Sequence, residues 1–277
     1  MSRSMTALAA ESEASHKRRV SSLFDMELRA RRRDRAARQG PELFLLERAF
    51  EDCIDRISLV QQRFERSLLI GCPDAGWPER LRPFADRVDV CDPGQLFARI
   101  AHGGTLIEDD WQPEVGVYDL VLAVGTLDTV NDLPRALLTI AWGMKPQGLF
   151  LGALSGGDTV PQLRRAMRAA DAATGAASPH VHPRIEASAL APLLAQARFA
   201  NPVVDVDRVS VSYRSLSRLV SDLRRMGATN ILSQRSRQSL SKRAYRAAKD
   251  VFASAGDGER TTETFEILHF GCWSAAA

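Results

Sequence analysis

Residues 119–159, DLVLAVGTLDTVNDLPRALLTIAWGMKPQGLFLGALSGGDT, constrain the fold more than any other stretch of the chain. The apolar run 119–124 reads as a strand that meets a polar turn. A helix opens at Asn131-Asp132, a Lys-Pro-Gln-Gly turn follows at 145–148, and a second apolar strand, 149–154, runs into Gly156-Gly157-Asp158. Strand, helix and strand at this spacing make a right-handed βαβ unit with its two strands parallel in one sheet. Leu149, Phe150, Leu151 and Leu154 leave the second strand little polar face, which places it at or near the centre of a sheet covered on both sides.

The alternation continues in both directions. Short apolar strands are expected at 67–70, 88–91 and 105–107, with helices at 76–84 (weakened by two prolines) and 96–101 between them. Beyond the fifth strand, helices are expected at 161–173 and 186–197. Strands at 203–211 and 264–270 would complete the sheet as a closing hairpin. Upstream, 24–39 has helical periodicity with Phe24, Leu28 and Ala36 near one face; Gly40-Pro41 ends it, and a longer amphipathic helix follows over 41–64. The domain reading is therefore a disordered tail at 1–22, an N-terminal helical segment at 23–64, and an α/β domain at 65–277 that carries a basic helical insertion at 215–254.

Charge separates along this plan. The net +3 of the chain resolves into +5 over 1–40, −7 over 41–210, +8 over 211–250 and −3 over the remainder. Such basic runs suit an acidic partner, and Arg224, Arg225, Arg235, Arg237 and Arg243 are the candidates to attract one. Tyr245 is the only aromatic in the C-terminal half of that stretch, so it lacks the stacking platform of a single-strand binder and no specific nucleic acid is expected. With 45% hydrophobic residues the chain can bury a core, yet no apolar run approaches the roughly 20 residues of a membrane helix. There is no secretory signal pattern, Glu11 and Glu13 argue against a transit peptide, and the isolated Cys53, Cys72, Cys91 and Cys272 suggest a reducing compartment without a zinc site. A cytoplasmic location is expected for a bacterial protein, or the mitochondrial matrix for a eukaryotic one.

The 119–159 segment resembles the fourth-strand, helix, fifth-strand part of class I S-adenosylmethionine (SAM) methyltransferases of the type 11 or biotin-synthesis kind. The run VNDLPRAL…KPQGLFLGALSGGDT more narrowly resembles the methyltransferase-like assembly factor of respiratory complex I and its bacterial relatives. FDMELRARRRDRAARQ, VDVDRVSVSY, LVSDLRRMGATNIL and TFEILHFGCW extend the likeness from Phe24 to Trp273. The resemblance implies a Rossmann-like sheet of about seven strands with one antiparallel, helices on both faces, and the 24–39 helix packed over the mouth of the cofactor cleft.

It also implies a set of cofactor residues. After the first strand stands Leu69-Ile70-Gly71-Cys72-Pro73-Asp74-Ala75-Gly76, in which Gly71 and Cys72 match the family's glycine-rich turn. Leu69 stands where the family has an acid, and Pro73 and Ala75 replace glycines. Proline removes an amide donor and fixes φ, and alanine adds a Cβ, so this loop holds the methionine end of SAM less well. Asp92 ends the second strand, where an acid accepts from both ribose hydroxyls. Glu108 and Asp109 follow the third strand near the adenine position, and Gly125 follows the fourth as the cleft floor.

Methyl transfer from a sulfonium depends mostly on in-line placement and exclusion of water, so a missing acid–base constellation does not weigh against it, and no catalytic residue is named. The resemblance brings in arginine hydroxylation as a second chemistry, for which His180, His182 and Asp158 are the only nearby ligand types. Histidines at i and i+2 point to opposite sides of an extended chain, and no metal site is assigned. The expected role is a SAM-dependent methyltransferase-like protein acting on a protein client, a subunit of the respiratory NADH dehydrogenase. Alternatives are a non-methylating assembly factor (hydroxylase, scaffold or chaperone) on the same fold, and a small-molecule or carrier-protein O-methyltransferase. Whether the chain is an enzyme, and its oligomeric state, stay open at this level.

Overall fold

The structure is a computed structural model that describes residues 22–175 and 177–276. Apart from Ser22, the expected disordered tail lies outside the described residues. In chain order the elements are α1 (Met26–Gln39), α2 (Phe44–Leu59), β1 (Phe64–Ile70), α3 (Trp77–Leu81), β2 (Ala85–Asp92), α4 (Gln95–Ile100) and β3 (Gly104–Thr105). There follow β4 (Tyr118–Val124), a 3-10 turn (Leu127–Thr129), α5 (Leu133–Gly143), β5 (Met144–Ser155), α6 (Pro161–Thr174), α7 (Ala187–Gln196), β6 (Phe199–Tyr213), α8 (Leu216–Arg225), α9 (Lys242–Ser254) and β7 (Thr261–Ser274).

The strands form one seven-stranded sheet in the order β3-β2-β1-β4-β5-β7-β6. Pairings up to β4–β5 are parallel, and β7 runs antiparallel to both β5 and β6, so only β7 opposes the common direction. Strand order reverses between β1 and β4. In an open α/β sheet the ligand crevice lies beyond the carboxyl ends of the strands at such a point.

Alternation of side chains along β1 and β4 divides the core into two layers. Leu68, Ile70, Val121 and Ala123 pack with Phe150, Phe270 and helices α5 and α7 on one face. Leu69, Leu120, Leu122 and Val124 pack with Phe50, Trp77 and helices α2 and α3 on the other. A third cluster joins α6, α8 and α9 through Leu163, Leu219, Ala248 and Phe252 over the outer parts of β6 and β7.

Several expected boundaries shift. The third strand is Gly104–Thr105 alone, because Leu106 turns into the core while Ile107 lies at the exposed side of a turn. The 145–148 turn is absorbed into a bulged start of β5: Gln147 has φ of 58° and the register against β4 shifts between Tyr118 and Leu120. The closing hairpin extends well past 203–211 and 264–270, pairing from Phe199↔Ser274 to Tyr213↔Thr261. Exposed polar positions on β6 hid its length from the hydrophobic pattern. β5 is flanked by β4 and β7, one place from the middle of the sheet.

Candidate functional site

The α1 helix governs the site. Asp25 caps it by accepting from Leu28 N at 2.9 Å, and Gly40 (φ 78°) ends it. Just ahead of it, Asp25 N donates to Ile231 O, and Phe24 N donates to Asn131 Oδ1 at 2.8 Å. Phe24 and Leu28 are buried with Ile231 and Leu232 of the insertion. Asp34 accepts from Leu96 N at 2.9 Å and so caps α4, which has no side-chain cap of its own. These contacts lay α1 across the carboxyl edge of the sheet, over the cleft mouth.

Two of its side chains enter the cleft. Arg33 forks onto Asp92, with Nε to Oδ1 at 2.8 Å and Nη2 to Oδ2 at 2.5 Å. Arg29 forks onto Glu108 with contacts of 2.5 and 2.9 Å, and its Nη2 also donates to Thr126 O at 2.7 Å. Both pairs are almost wholly buried, at 7%/0% and 5%/2% side-chain exposure. Arg33 also lies over the Phe97 ring at 5.3 Å. Burial works against its charge, but the carboxylates of Asp92, Glu108 and Asp128 together more than offset this and raise the Arg33 pKa above the ordinary guanidinium value.

Asp92 has no acceptor capacity left. Besides the fork, its Oδ2 takes Cys72 N at 2.9 Å and its Oδ1 takes Gly94 N at 2.7 Å. A carboxylate offers about four lone-pair sites, and all four are filled. Gly71 adopts φ of +85°, and a Cβ there would stand 2.4 Å from Val124 O, so this position does require glycine. The turn after it is drawn toward Asp92 through the Cys72 amide, and the Cys72 thiol, donating to Asp74 O, is pushed up to about 12 by burial.

Of the sequence-predicted residues, Cys72 and Asp92 meet directly, Glu108 joins them through the Arg29–Arg33 face of α1, and Gly125 floors the adjoining space under Leu46. Asp109 does not join: its carboxylate accepts from Asn131 N, Asn131 Nδ2 and Asp132 N and ties the turn before α5. The residues present do not fit SAM in this conformation. The two acids that would take ribose and adenine are occupied by guanidinium groups, Glu108 at both oxygens and Asp92 together with the Cys72 and Gly94 amides, and Pro73 and Ala75 stand in the loop. Leu69, where the family has an acid, is fully buried in the layer under α2.

What stays open is a space beside these two pairs. A cavity of ≈ 300 Å³ is lined by Leu46, Gly125, Asp128, Ser155, Leu223 and Ile231 among others, and by the flanks of Arg29 and Arg33. Its polar groups are mostly engaged. Asp128 pairs with Arg184, both buried. His182 Nε2 accepts from Ile231 N at 3.0 Å and so holds the 226–231 roof as a neutral ring, its pKa lowered to about 4 by burial and by the Arg184 charge. His180 meets Asp171, and exposed Asp158 meets Arg208, so the three candidate metal ligands serve three separate contacts. Among the described residues no group of three or more His, Cys, Asp or Glu side chains is placed to hold a metal ion.

Sequence reasoning missed Arg29 and Arg33. The signal was present: residues 29, 33 and 36 fall at i, i+4 and i+7, so both arginines share a stripe with buried Ala36.

Comparison with known proteins bears on the fold that carries these residues. A family model described as a methyltransferase domain matches residues 42–202, a span that begins after α1. The mouse protein named arginine-hydroxylase NDUFAF5, mitochondrial, is 30% identical over 276 residues, covering 92% of this chain and 78% of its own length. A malonyl-[acyl-carrier protein] O-methyltransferase of Xylella fastidiosa is 32% identical over 160 residues, covering 56% of this chain and 52% of its own. Among solved structures, the YcgJ protein of Bacillus subtilis superposes with a TM-score of 0.56 at 13% identity, covering 82% of this chain and all of that one.

Proposed function

The chain belongs to the class I SAM methyltransferase family, and on that premise we propose that it acts on a protein client in the assembly of respiratory complex I. The observation that carries this reading is the extent of the likeness. Similarity to the protein named arginine-hydroxylase NDUFAF5 spans 92% of the chain, which takes in elements outside the methyltransferase-domain match. Similarity to the carrier-protein O-methyltransferase spans 56%. A factor that handles a protein needs surface beyond a catalytic core, and α1, α8 and α9 supply it.

SAM is the cofactor this family implies, and SAM-dependent modification of the client is the first reading of the activity. The guanidinium groups that occupy Asp92 and Glu108 favour a second reading, an assembly factor that does not methylate. In both, the chain's own residues do the same work. The ≈ 300 Å³ cavity receives a client side chain, Leu46, Leu223 and Ile231 exclude water from it, and His182 fixes its roof.

The client-facing charge is narrower than the sequence suggested. Arg225 pairs with Glu42 and Arg235 with Asp25, so these two tie the insertion to the N-terminal segment. Exposed Arg224, Arg237, Lys242, Arg243, Arg246 and Lys249 stay available to an acidic client and would speed encounter more than they tighten it.

The proposed setting is the cytoplasm of a bacterium; among the described residues no helix is long and apolar enough to cross a membrane. Deleting the gene and separating membrane complexes on a native gel tests the role. Loss of mature NADH dehydrogenase, restored by the intact gene, is expected. Normal amounts of the complex in the deletion strain would overturn the client reading.

A further inference from the structure

We propose that α1 is a built-in plug for the nucleoside half of the cofactor cleft, with Arg29 and Arg33 holding the adenine-side and ribose-side acids until the helix is displaced. This rests on reading the cleft as a SAM cleft. It adds that the resting chain excludes SAM by occupying its site, and that the acids themselves are intact.

Three observations carry it. The first is the match of partners. Each guanidinium sits bidentate on one of the two acids that the cofactor would need, and each pair is buried. A planar five-donor group on a carboxylate leaves no room for a hydroxyl pair to compete in place. The second is the fit of the helix itself. A Cβ added at Gly94 would stand 2.8 Å from Arg33 Cβ, so the turn after β2 is in close contact with α1. That close approach is available because position 94 has no side chain.

The third is that the plug is held from outside the cleft yet is not evenly compensated. Its start is pinned through Phe24, Asp25 and Asn131. Across the seam with the insertion, where α1 packs on α8, the Arg224 charge opposes those of Arg32 and Arg35, and the buried Nε atoms of Arg32 and Arg35 have no acceptor among the described residues, although Arg35 Nη2 donates to Thr229 Oγ1 at 3.0 Å. Like charges on that seam oppose closure while the two forks favour it. A helix balanced in this way can be shifted by an acidic partner that neutralises the seam. The apparent affinity for SAM is then the intrinsic affinity scaled by the fraction of molecules with α1 displaced.

The test uses the full-length chain. Calorimetric titration with SAM and with S-adenosylhomocysteine compares the wild type with R29M/R33M, in which two apolar side chains of similar length leave Asp92 and Glu108 without their guanidinium partners. The variant is expected to bind at least about tenfold more tightly than the wild type. In parallel, hydrogen exchange of the wild type over 26–39 with excess S-adenosylhomocysteine should rise, because ligand and helix compete. Should R29M/R33M fail to fold, R29K/R33K keeps the charges but loses the forks and is expected to gain affinity in the same direction, and the exchange measurement needs no variant at all. Ligand binding to the wild type with protection of 26–39 unchanged or increased would overturn the plug and leave the SAM reading standing. A folded variant that gains no affinity for either ligand overturns the plug. If the wild type also binds neither, the SAM reading falls with it.

Discussion

The Arg33–Asp92 fork makes a quantitative demand on stability that is separate from any ligand. Asp92 is wholly buried and accepts four hydrogen bonds, two of them from a guanidinium that is itself 7% exposed. Asp92→Asn keeps the shape but turns half of the acceptor into a donor that faces donors. It also strands the Arg33 charge in the interior. Removing one partner of a buried pair costs about 3–5 kcal/mol, and a chain of this size loses roughly 2–4 °C of Tm per kcal/mol, so a drop near 10 °C is expected. Arg33→Met strands Asp92 instead, but the Cys72 and Gly94 amides still support that carboxylate, and the cost falls toward the lower end, about 3 kcal/mol. The double variant has no orphaned charge. It should therefore be less destabilised than the sum of the singles by about 2–3 kcal/mol. Urea unfolding of the four proteins, compared at a common m value, reads the cycle directly. Additivity within about 0.5 kcal/mol would mean that the two side chains do not interact, and the account of the cleft would fail with it.

Two further outcomes follow from buried groups. His182 accepts from Ile231 N only while neutral, and its pKa of about 4 lies below the ordinary value of 6.5, so the unfolded chain takes up the proton first. Stability is intact above pH 6.5 and is lost as pH falls toward 4, by about 2 kcal/mol between pH 7 and 5; His182→Gln should remove most of that slope in urea titrations at the two pH values, and an unchanged slope would refute the assignment. Leu69→Asp, which would put back the family's acid, should cost about 4 kcal/mol or more and give no gain in SAM affinity, because Leu69 lies in the apolar layer with Phe50 and Leu122; a stable L69D protein with improved calorimetric binding would contradict this.

The fold was legible because it rests on periodicity, a local property. The alternation of apolar strands and amphipathic helices from Ser67 to Phe270 recovers the order of elements, the parallel core and the antiparallel closing strand. Where boundaries moved, burial and pattern had parted. β6 is fifteen residues long with Phe199 and Tyr213 buried at its ends, but exposed Ala200 and Asn201, Pro202 and exposed Ser212 separate those two from the apolar alternation of the middle, so the pattern stops short of them. The start of β5 holds a proline and a left-handed Gln147, which read as a turn and form a bulge.

The site was legible only in part, for a reason that lies in sequence separation. Asp92 and Glu108 could be placed from the strand each one follows, since the carboxyl edge of the sheet collects such residues whatever their partners. What occupies them comes from 59 and 79 positions upstream, on a helix whose arginines look like a solvated face when counted by composition. Spacing distinguishes the inward pair, 29 and 33, from Arg31, Arg32 and Arg35, but only once a burial partner is known to lie on that side. The same holds for Asp109, which differs from Glu108 by one position. That single step turns its carboxylate from the cleft to the Asn131-Asp132 turn. A motif therefore fixes where an acid stands. The pairing that decides whether the acid can serve a cofactor is a long-range property of the packed chain.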